Sequence, residues 1–299
     1  MFTTRFAPSP TGRLHLGHAH SALFGWTVAR RAGGRFLLRI EDIDQTRCRP
    51  ALEADLIEDL RCLGLDWDGP VRRQSDHMDD YRAALDRLDA MGLIYPCFCT
   101  RKDIAAEIAR AGGAPHGPDG ALYPGTCRRL TPDERRRRIE SGAAFALRLD
   151  VDKAAALAGP LTWFDRDAGL QTATPQILGD VVLARKECPT SYHLSVTVDD
   201  ALQGVTLVTR GQDLFFATHL HRLLQALLGL DVPQWAHHPL LTNAAGERLS
   251  KRDGAASLRS LFDAGMTAEQ VRALALGGVV EDAAEDNFRF RLTIGEIMV

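Results

Sequence analysis

A strong charge of one sign, an apolar run of membrane length, a signal-like leader and a dense cysteine framework are all missing from this 299-residue chain. The formal net charge is −3, which removes the global basic signature of a protein that coats nucleic acid through bulk charge and leaves only a local basic face open. No apolar run is long enough to span a bilayer. Residues 1–10, MFTTRFAPSP, lack the apolar core of a signal peptide, so a cytoplasmic protein with no membrane partner is expected. Six cysteines are too sparse for a disulfide scaffold, and the pair Cys97-x-Cys99 points instead to metal in a reducing compartment. Internal repeats and low-complexity tracts are missing too. What remains is 45% hydrophobic and 25% charged, an ordinary globular composition. The length suits one large domain carrying an insertion, or two modest domains.

The stretch that organises the rest is residues 5–18, RFAPSPTGRLHLGH. Residues 4–7 are expected to form a short strand, followed by a Pro/Gly-rich turn. A helix then starts close to Leu16, with Ala22, Leu23, Trp26 and Ala29 at helical spacing and Gly33-Gly34 as its stop. A strand, a tight turn and a helix N-terminus together make a seat for phosphate, facing backbone N–H groups and the positive end of the helix dipole. His15 and His18 flank Gly17 at that entry. Both imidazoles can face one anion there, while Gly17 lets a nucleotide lie close to the backbone. HxGH alone is short enough to arise by chance, and histidines near a helix start also serve as caps.

Residues 35–40 read as a second strand running into Glu41, Asp42 and Asp44. Carboxylates at the C-terminal end of a parallel strand lie where α/β sheets place ligand contacts; a solvated acidic turn is the alternative. Leu52, Leu56, Ile57, Leu60 and Leu63 mark an amphipathic helix stopped by Gly64, and Tyr81, Leu85, Leu88 and Met91 mark another stopped by Gly92. This alternation predicts the first half of a doubly wound, Rossmann-like α/β domain over residues 1–93.

Residues 94–178 read as a small α+β insertion, opening on a Gly/Pro/Ala-rich stretch with Cys97, Cys99, Tyr123 and Cys127. Three thiolates at C-x-C…C spacing suit one structural zinc ion. His116 and Asp119 are the conventional nearby candidates for its fourth ligand, and Tyr123 is the less usual one. Thr131–Glu134 is a capping box opening a short helix with the run Arg135–Arg138, a pattern more often a solvated face than a binding site. Phe145, Leu147 and Leu149 alternate as a strand. The α/β pattern is expected to resume over residues 179–256, with 180–184 and 207–209 as buried strands and a helix through Phe216, Leu220, Leu223, Leu224 and Leu227 ended by Gly229. Residues 248–252, RLSKR, form a basic loop suited to clamping phosphates. Residues 257–299 are expected to be a short C-terminal helical segment with an acidic tail.

HLGH followed far downstream by RLSKR is much more specific than either piece. The pair resembles the two signature sequences of class I aminoacyl-tRNA synthetases, usually written HIGH and KMSKS. RFAPSPTGRLHLGHA, RIEDID, SYHLSVTVDD, RGQDL and ERLSKRDGA are similar to the glutamyl and glutaminyl branch, and the resemblance runs from Arg5 to about Ala255. Leu249 replaces the Met of the second signature, a volume-conserving swap. Full glutamyl-tRNA synthetases continue past this motif into a large helical anticodon-binding region, and here only residues 256–299 follow it. That shortness and the C-x-C…Y-x₃-C pattern resemble the glutamyl-queuosine tRNA(Asp) synthetase family.

The resemblance implies ATP-dependent activation of L-glutamate to an adenylate, then transfer to the queuosine base in the anticodon loop of tRNA(Asp) and not to the 3′ end. It assigns the zinc to Cys97, Cys99, Tyr123 and Cys127. It assigns glutamate contacts to Arg5, Ser9, Glu41, Tyr192 and Arg210; Arg5 and Arg210 can each fork a carboxylate, and Glu41 can pair the ammonium. ATP falls to His15, Gly17, His18, Arg248, Leu249, Ser250, Lys251 and Arg252, with His15, His18 and Lys251 catalytic and magnesium on the phosphates. A monomer is expected. Two rivals remain: a synthetase charging the 3′ end, and a catalytically inactive RNA-binding paralogue.

Overall fold

The computed structural model describes residues 1–110, 116–118, 120–185, 188–241 and 256–277. Strand β1 (Thr3–Phe6) leads into helix α1 (Leu16–Arg31), which returns to β2 (Arg35–Ile40) beside β1 in parallel register, Arg5 opposite Leu37. Gly33, at φ 60°, ends α1 in the left-handed region that a side chain would strain. Helix α2 (Pro50–Cys62) has Pro at its start and crosses to β3 (Arg72–Arg73), parallel to β2. Helix α3 (Met78–Ala90) completes this half.

Strand β4 (Ile94–Cys97) opens the insertion, followed by α4 (Arg101–Arg110) and the two-residue strands β5 (His116–Gly117) and β6 (Gly120–Ala121). Helix α5 (Pro132–Glu140) carries the expected capping box between Thr131 and Glu134. Then come β7 (Ala146–Leu149), α6 (Val151–Ala158), the hairpin β8 (Thr162–Asp165) and β9 (Gly169–Thr172), and β10 (Val182–Arg185). Helix α7 (Tyr192–Leu202), β11 (Leu207–Gly211), α8 (Ala217–Leu228) and β12 (Gln234–His238) restore the α/β alternation, and α9 (Leu258–Asp263) and α10 (Ala268–Ala275) end the described chain.

The strands form one three-stranded parallel sheet, β1-β2-β3, and one four-stranded sheet, β11-β12-β8-β9, parallel except for the β8–β9 hairpin. The two meet where the Thr206 N–H donates to the Thr3 carbonyl at 3.0 Å and the Thr3 N–H to Thr206 Oγ1 at 2.9 Å. A separate antiparallel sheet, β10-β7-β4, carries the insertion. Strand pairing therefore departs from chain order in two places. Residues 180–184, read as resuming the catalytic alternation, supply β10, which pairs antiparallel with β7. The β8–β9 hairpin, inside the stretch read as insertion, joins the large sheet through Trp235 opposite Asp165. The Gly/Pro/Ala-rich stretch after Tyr95 also holds α4, none of whose ten residues is buried.

Two apolar clusters hold the halves. One packs Phe6, Leu14, Leu23, Phe36, Leu38, Ile40, Leu56 and Leu60 together with Leu258 and Val271. The other joins Tyr81, Leu85 and Leu88 of α3 to Leu194, Leu220, Leu223 and Leu224 of α7 and α8. The α9 start is tied to the organising stretch by the Leu258 N–H donating to the Leu14 carbonyl at 2.9 Å. No described helix is long and apolar enough to cross a membrane.

Candidate active site

The C-terminal ends of β1, β2 and β11 and the start of α1 surround a cavity of about 270 Å³. Arg5, Ser9, His15, Gly17, His18, Glu41, Tyr192 and Arg210, drawn from four separate parts of the sequence, all line it. This is the position where open α/β sheets place their ligands, because the strands end there and the connecting turns diverge.

The α1 entry is built by its own histidines. His15 is the N-cap: its Nδ1 accepts the Gly17 N–H at 3.1 Å, while His18 Nδ1 accepts the His15 N–H at 3.2 Å. Two imidazoles thus perform the reciprocal capping usually done by Ser or Thr with Glu. The same bonds make both neutral rings Nε2–H tautomers, with ring centres 3.8 Å apart. A side chain at Gly17 would put its Cβ 3.0 Å from His15 Cε1, so glycine keeps the cap ring in place. No acidic residue lies in the first turn of α1 to offset the positive end of its dipole.

The floor is a buried ion network. Arg5 donates through Nε (2.9 Å) and Nη2 (3.3 Å) to the Asp200 carboxylate, and through Nη1 to the Thr209 carbonyl (3.1 Å). Arg39, fully buried, donates to Asp200 (2.8 Å), Gln203 (3.0 Å) and Glu41 (3.2 Å). Asp199 accepts from Arg72, Gln74 and Tyr81 at 2.8–3.0 Å. Burial acts to raise Asp200, but Arg5 and Arg39 outweigh it and hold the carboxyl below its ordinary range. Burial pushes Glu41 up against the pull of Arg39 and Arg5. Asp199, Asp200 and Arg39 escaped the sequence reading as site residues; the signal was the adjacent acid pair at the end of SYHLSVTVDD.

Arg210 is wired differently. Its Nε donates to His237 Nε2 (3.1 Å), Nη1 to His221 Nδ1 (3.1 Å) and to the Tyr192 hydroxyl (3.4 Å), and Nη2 to Thr218 Oγ1 (2.6 Å). Every partner is neutral, and no carboxylate among the described residues pairs with it, although Arg210 is only 6% exposed. Burial pulls its pKa down. Burial also lowers the histidines around it: His193 to about 4, His221 well below its ordinary value, and His237 in the same direction. His20 and His238 line the cavity as well and were not foreseen.

Some expected residues go elsewhere. Asp42 accepts from the Ser75 N–H and hydroxyl, and Asp44 caps the turn at Thr46 and Arg47, so of the three carboxylates only Glu41 reaches the cavity. Arg248, Leu249, Ser250, Lys251 and Arg252 lie outside the described residues, as does Asp119. In the insertion, the Sγ atoms of Cys97, Cys99 and Cys127 lie within 4.8 Å of one another, and His116 is not brought to them. The Tyr123 hydroxyl sits 3.3 Å from Cys97 Sγ and 3.7 Å from Cys99 Sγ, and Cys99 and Cys127 are 3.5 Å apart. Ligand atoms on a tetrahedral zinc with bonds near ~2.3 Å stand ~3.8 Å apart, so the cluster fits such an ion. Burial and the Cys127 thiol push Cys99 up to about 12, a cost of gathering thiols that a bound cation reverses. In the run, Arg135 and Arg138 lie over Tyr95 and Phe98 and Arg136 pairs with Asp133, while Arg128 upstream pairs with Asp150, Asp152 and Asp180.

A helix entry and a polar cavity at the C-terminal edge of a parallel sheet are features of an α/β nucleotide-binding fold, and comparison with known proteins gives its class as a class I tRNA synthetase catalytic domain. The family model for tRNA synthetases class I (E and Q), catalytic domain, matches residues 1–289. The chain is 53% identical over 276 residues to the Glutamyl-Q tRNA(Asp) synthetase of Rhodobacter capsulatus, covering 91% of this chain and 98% of that one. It is 47% identical over 282 residues to the Glutamyl-Q tRNA(Asp) synthetase of Symbiobacterium thermophilum, covering 91% and 84%. The solved glutamate tRNA ligase of Elizabethkingia meningosepticum, in complex with its amino acid, superposes with a TM-score of 0.70 at 30% identity; 85% of this chain is covered, and it spans about half, 52%, of that protein. The chain belongs to the class I glutamyl and glutaminyl tRNA synthetase family, within its Glutamyl-Q tRNA(Asp) synthetase members.

Proposed function

We propose that this enzyme activates L-glutamate with ATP and transfers the glutamyl group to the queuosine base of tRNA(Asp) in the cytoplasm. The observation that carries the amino-acid part is Arg210, a buried cation on the cavity wall with no carboxylate partner among the described residues. Four of its five N–H groups are taken by neutral acceptors, so its charge remains for the side-chain carboxylate of glutamate. Glu41 pairs the substrate ammonium, Arg5 and Ser9 flank it, and Tyr192 closes the wall. The α-carboxylate then attacks the α-phosphate of ATP, releasing pyrophosphate. His15, His18 and the α1 N–H groups stabilise the charge that spreads over the transition state. Lys251, with Arg248, Leu249, Ser250 and Arg252, closes on the phosphates from the other side, and magnesium accompanies them. The names of the relatives support queuosine as acceptor.

Residues 1–93 and 179–256 make the catalytic unit, residues 94–178 the inserted subdomain, and 257–299 the C-terminal segment, with the β8–β9 hairpin and β10 each paired across that division. Cys97, Cys99 and Cys127 hold a structural zinc, with the Tyr123 hydroxyl as fourth ligand. Bound there, the ion closes the segment between β4 and α5 into one shape and takes no part in the reaction.

The test is transfer of labelled glutamate to tRNA from queuosine-replete cells and from cells unable to make queuosine. Label on the replete pool alone, found in the anticodon fragment after nuclease digestion, is expected. Equal label on both pools, recovered on the terminal adenosine, would make this a 3′-end synthetase.

A further inference from the structure

Behind Arg210 the chain builds a polar relay that the reaction as described does not use. Asp165, at the end of β8 and 1% exposed, accepts the Asp167 and Ala168 N–H groups through Oδ1 (3.0 and 2.9 Å). Its Oδ2 lies 2.7 Å from His237 Nδ1. His237 Nε2 faces Arg210 Nε, His221 Nδ1 faces Arg210 Nη1, and His221 Nε2 lies 3.2 Å from His193 Nδ1. A guanidinium only donates hydrogen bonds. His237 Nε2 and His221 Nδ1 must therefore be bare acceptors. That leaves the His237 proton on Nδ1, donated to Asp165, and the His221 proton on Nε2, donated to His193. His193 in turn carries its proton on Nε2. The proton order of the whole chain follows from one cation at its centre.

We infer that Asp165 and His237 are positioning residues of the amino-acid subsite, setting how Arg210 meets the substrate's side-chain carboxylate. Through the neutral imidazole, Asp165 polarises the acceptor that grips the Nε edge of Arg210. The carboxylate itself stays one ring away, so it orients the guanidinium without neutralising it. A direct Asp–Arg pair, such as Arg5 makes with Asp200, would cancel the charge that selects glutamate over the neutral glutamine. The inference rests on Arg210 being the glutamate contact.

The Asp165→Asn change separates this from simple packing. The asparagine Oδ1 still accepts the two backbone N–H groups, but its amide now donates to His237 Nδ1. The ring must shift its proton to Nε2, where donor meets donor at Arg210 Nε. In glutamate-dependent ATP–pyrophosphate exchange, D165N and H237L should raise KM for glutamate at least ~10-fold, as expected for losing a hydrogen bond to a charged group. KM for ATP and kcat at saturating glutamate should move less than about threefold, because neither depends on this edge of Arg210. H237Q, whose Oε1 can accept from Arg210 while its amide donates to Asp165, should recover most of the loss seen in H237L. Nitrogen-15 spectra of the wild-type enzyme should show His237 protonated on Nδ1, the signal being assigned by its disappearance in H237Q. An Nε2–H tautomer there, equal changes in both KM values, or H237Q as poor as H237L would each overturn the inference. These readings do not need D165N to fold. No glutamate-dependent exchange by the wild-type enzyme would sink the glutamate reading and the positioning role with it, whereas normal wild-type exchange with no KM split in the variants would remove the positioning role alone.

Discussion

Asp200→Asn perturbs stability and activity through one atom pair. Asp200 accepts two N–H groups of Arg5 and one of Arg39, at 2.9, 3.3 and 2.8 Å, with all three side chains buried. Asparagine keeps the volume and one acceptor, but it loses the charge and turns an amide donor toward a guanidinium. Arg39 retains Glu41 and Asp199. Arg5 is left with no carboxylate among the described residues. Two unit charges ~4 Å apart interact by ~4 kcal/mol at an effective dielectric of ~20. That agrees with the ~3–5 kcal/mol seen when one partner of a buried pair is removed. Urea unfolding should show a loss in this range. Glutamate KM should rise as well, because Arg5, released from Asp200, draws toward Glu41 and competes with the substrate ammonium. The double variant R5Q/D200N removes the stranded cation too, so it should be less destabilised than the sum of the single changes by ~1.5 kcal/mol or more. A D200N loss under ~1 kcal/mol, or strict additivity in the double variant, would refute the argument.

Three further outcomes are expected. Gly25 of α1 lies against β11, where an added Cβ would stand 2.7 Å from Thr209 Oγ1, so G25A should cost about 1–3 kcal/mol by overpacking and shift the Arg5 carbonyl region with it; unchanged urea unfolding would show that the two elements have slack. The buried histidines should make the fold acid-sensitive: His193 and His238 drop from 6.5 to about 4, so below 6.5 the unfolded chain binds protons the folded chain refuses. Stability is complete above that value and falls by up to ~1.4 kcal/mol per pH unit per histidine toward about 4. H238L should flatten part of the slope in melting curves between pH 7.5 and 5, and an identical slope would count against it. Purified protein should carry about one zinc ion per chain. C99S should abolish that content, and Y123F should weaken the affinity by ~10-fold or more; full retention by C99S in metal analysis would refute the cluster as its site.

Much of this site was legible because its parts lie in short, chemically loaded stretches. His15, Gly17 and His18 sit together in the sequence and act together as a reciprocal cap. Glu41 follows directly on a strand whose bounds, Arg35–Ile40, are visible as an apolar run between Gly34 and the acidic turn. What stayed hidden is whatever depends on strand pairing. The tripartite contact of Arg5, Arg39 and Asp200 needs β1, β2 and α7 side by side, across sequence separations of 161 and 195 residues. Asp165 looked like part of the insertion, yet β8 joins the large sheet beside β12 and so meets His237. In the same way, β10 has the apolar look of a core strand, and only its register against β7 reveals that it belongs to the smaller sheet. Local pattern determines what a segment is, while its partner is set by long-range packing that no window of sequence contains.

The two arginines of the cavity illustrate what such packing decides. In the sequence Arg5 and Arg210 are alike, each a lone arginine within or at the end of a short strand. In the fold Arg5 is forked onto Asp200 and contributes little net charge to the cavity, whereas Arg210 is held, among the described residues, by imidazoles and hydroxyls. Among the described residues the cavity is therefore polarised: an end where Glu41 and Asp200 offset Arg5, and an end at Arg210 whose hydrogen-bond partners are all neutral. An amino acid with one ammonium and a side-chain carboxylate has a single favourable orientation in that field. On the proposed reading its α-carboxylate is then left toward the α1 entry, where the capping histidines and the helix dipole suit a phosphate. On the proposed reading, substrate choice and reaction geometry both rest on one asymmetry, a buried acid beside Arg5 and neutral rings beside Arg210.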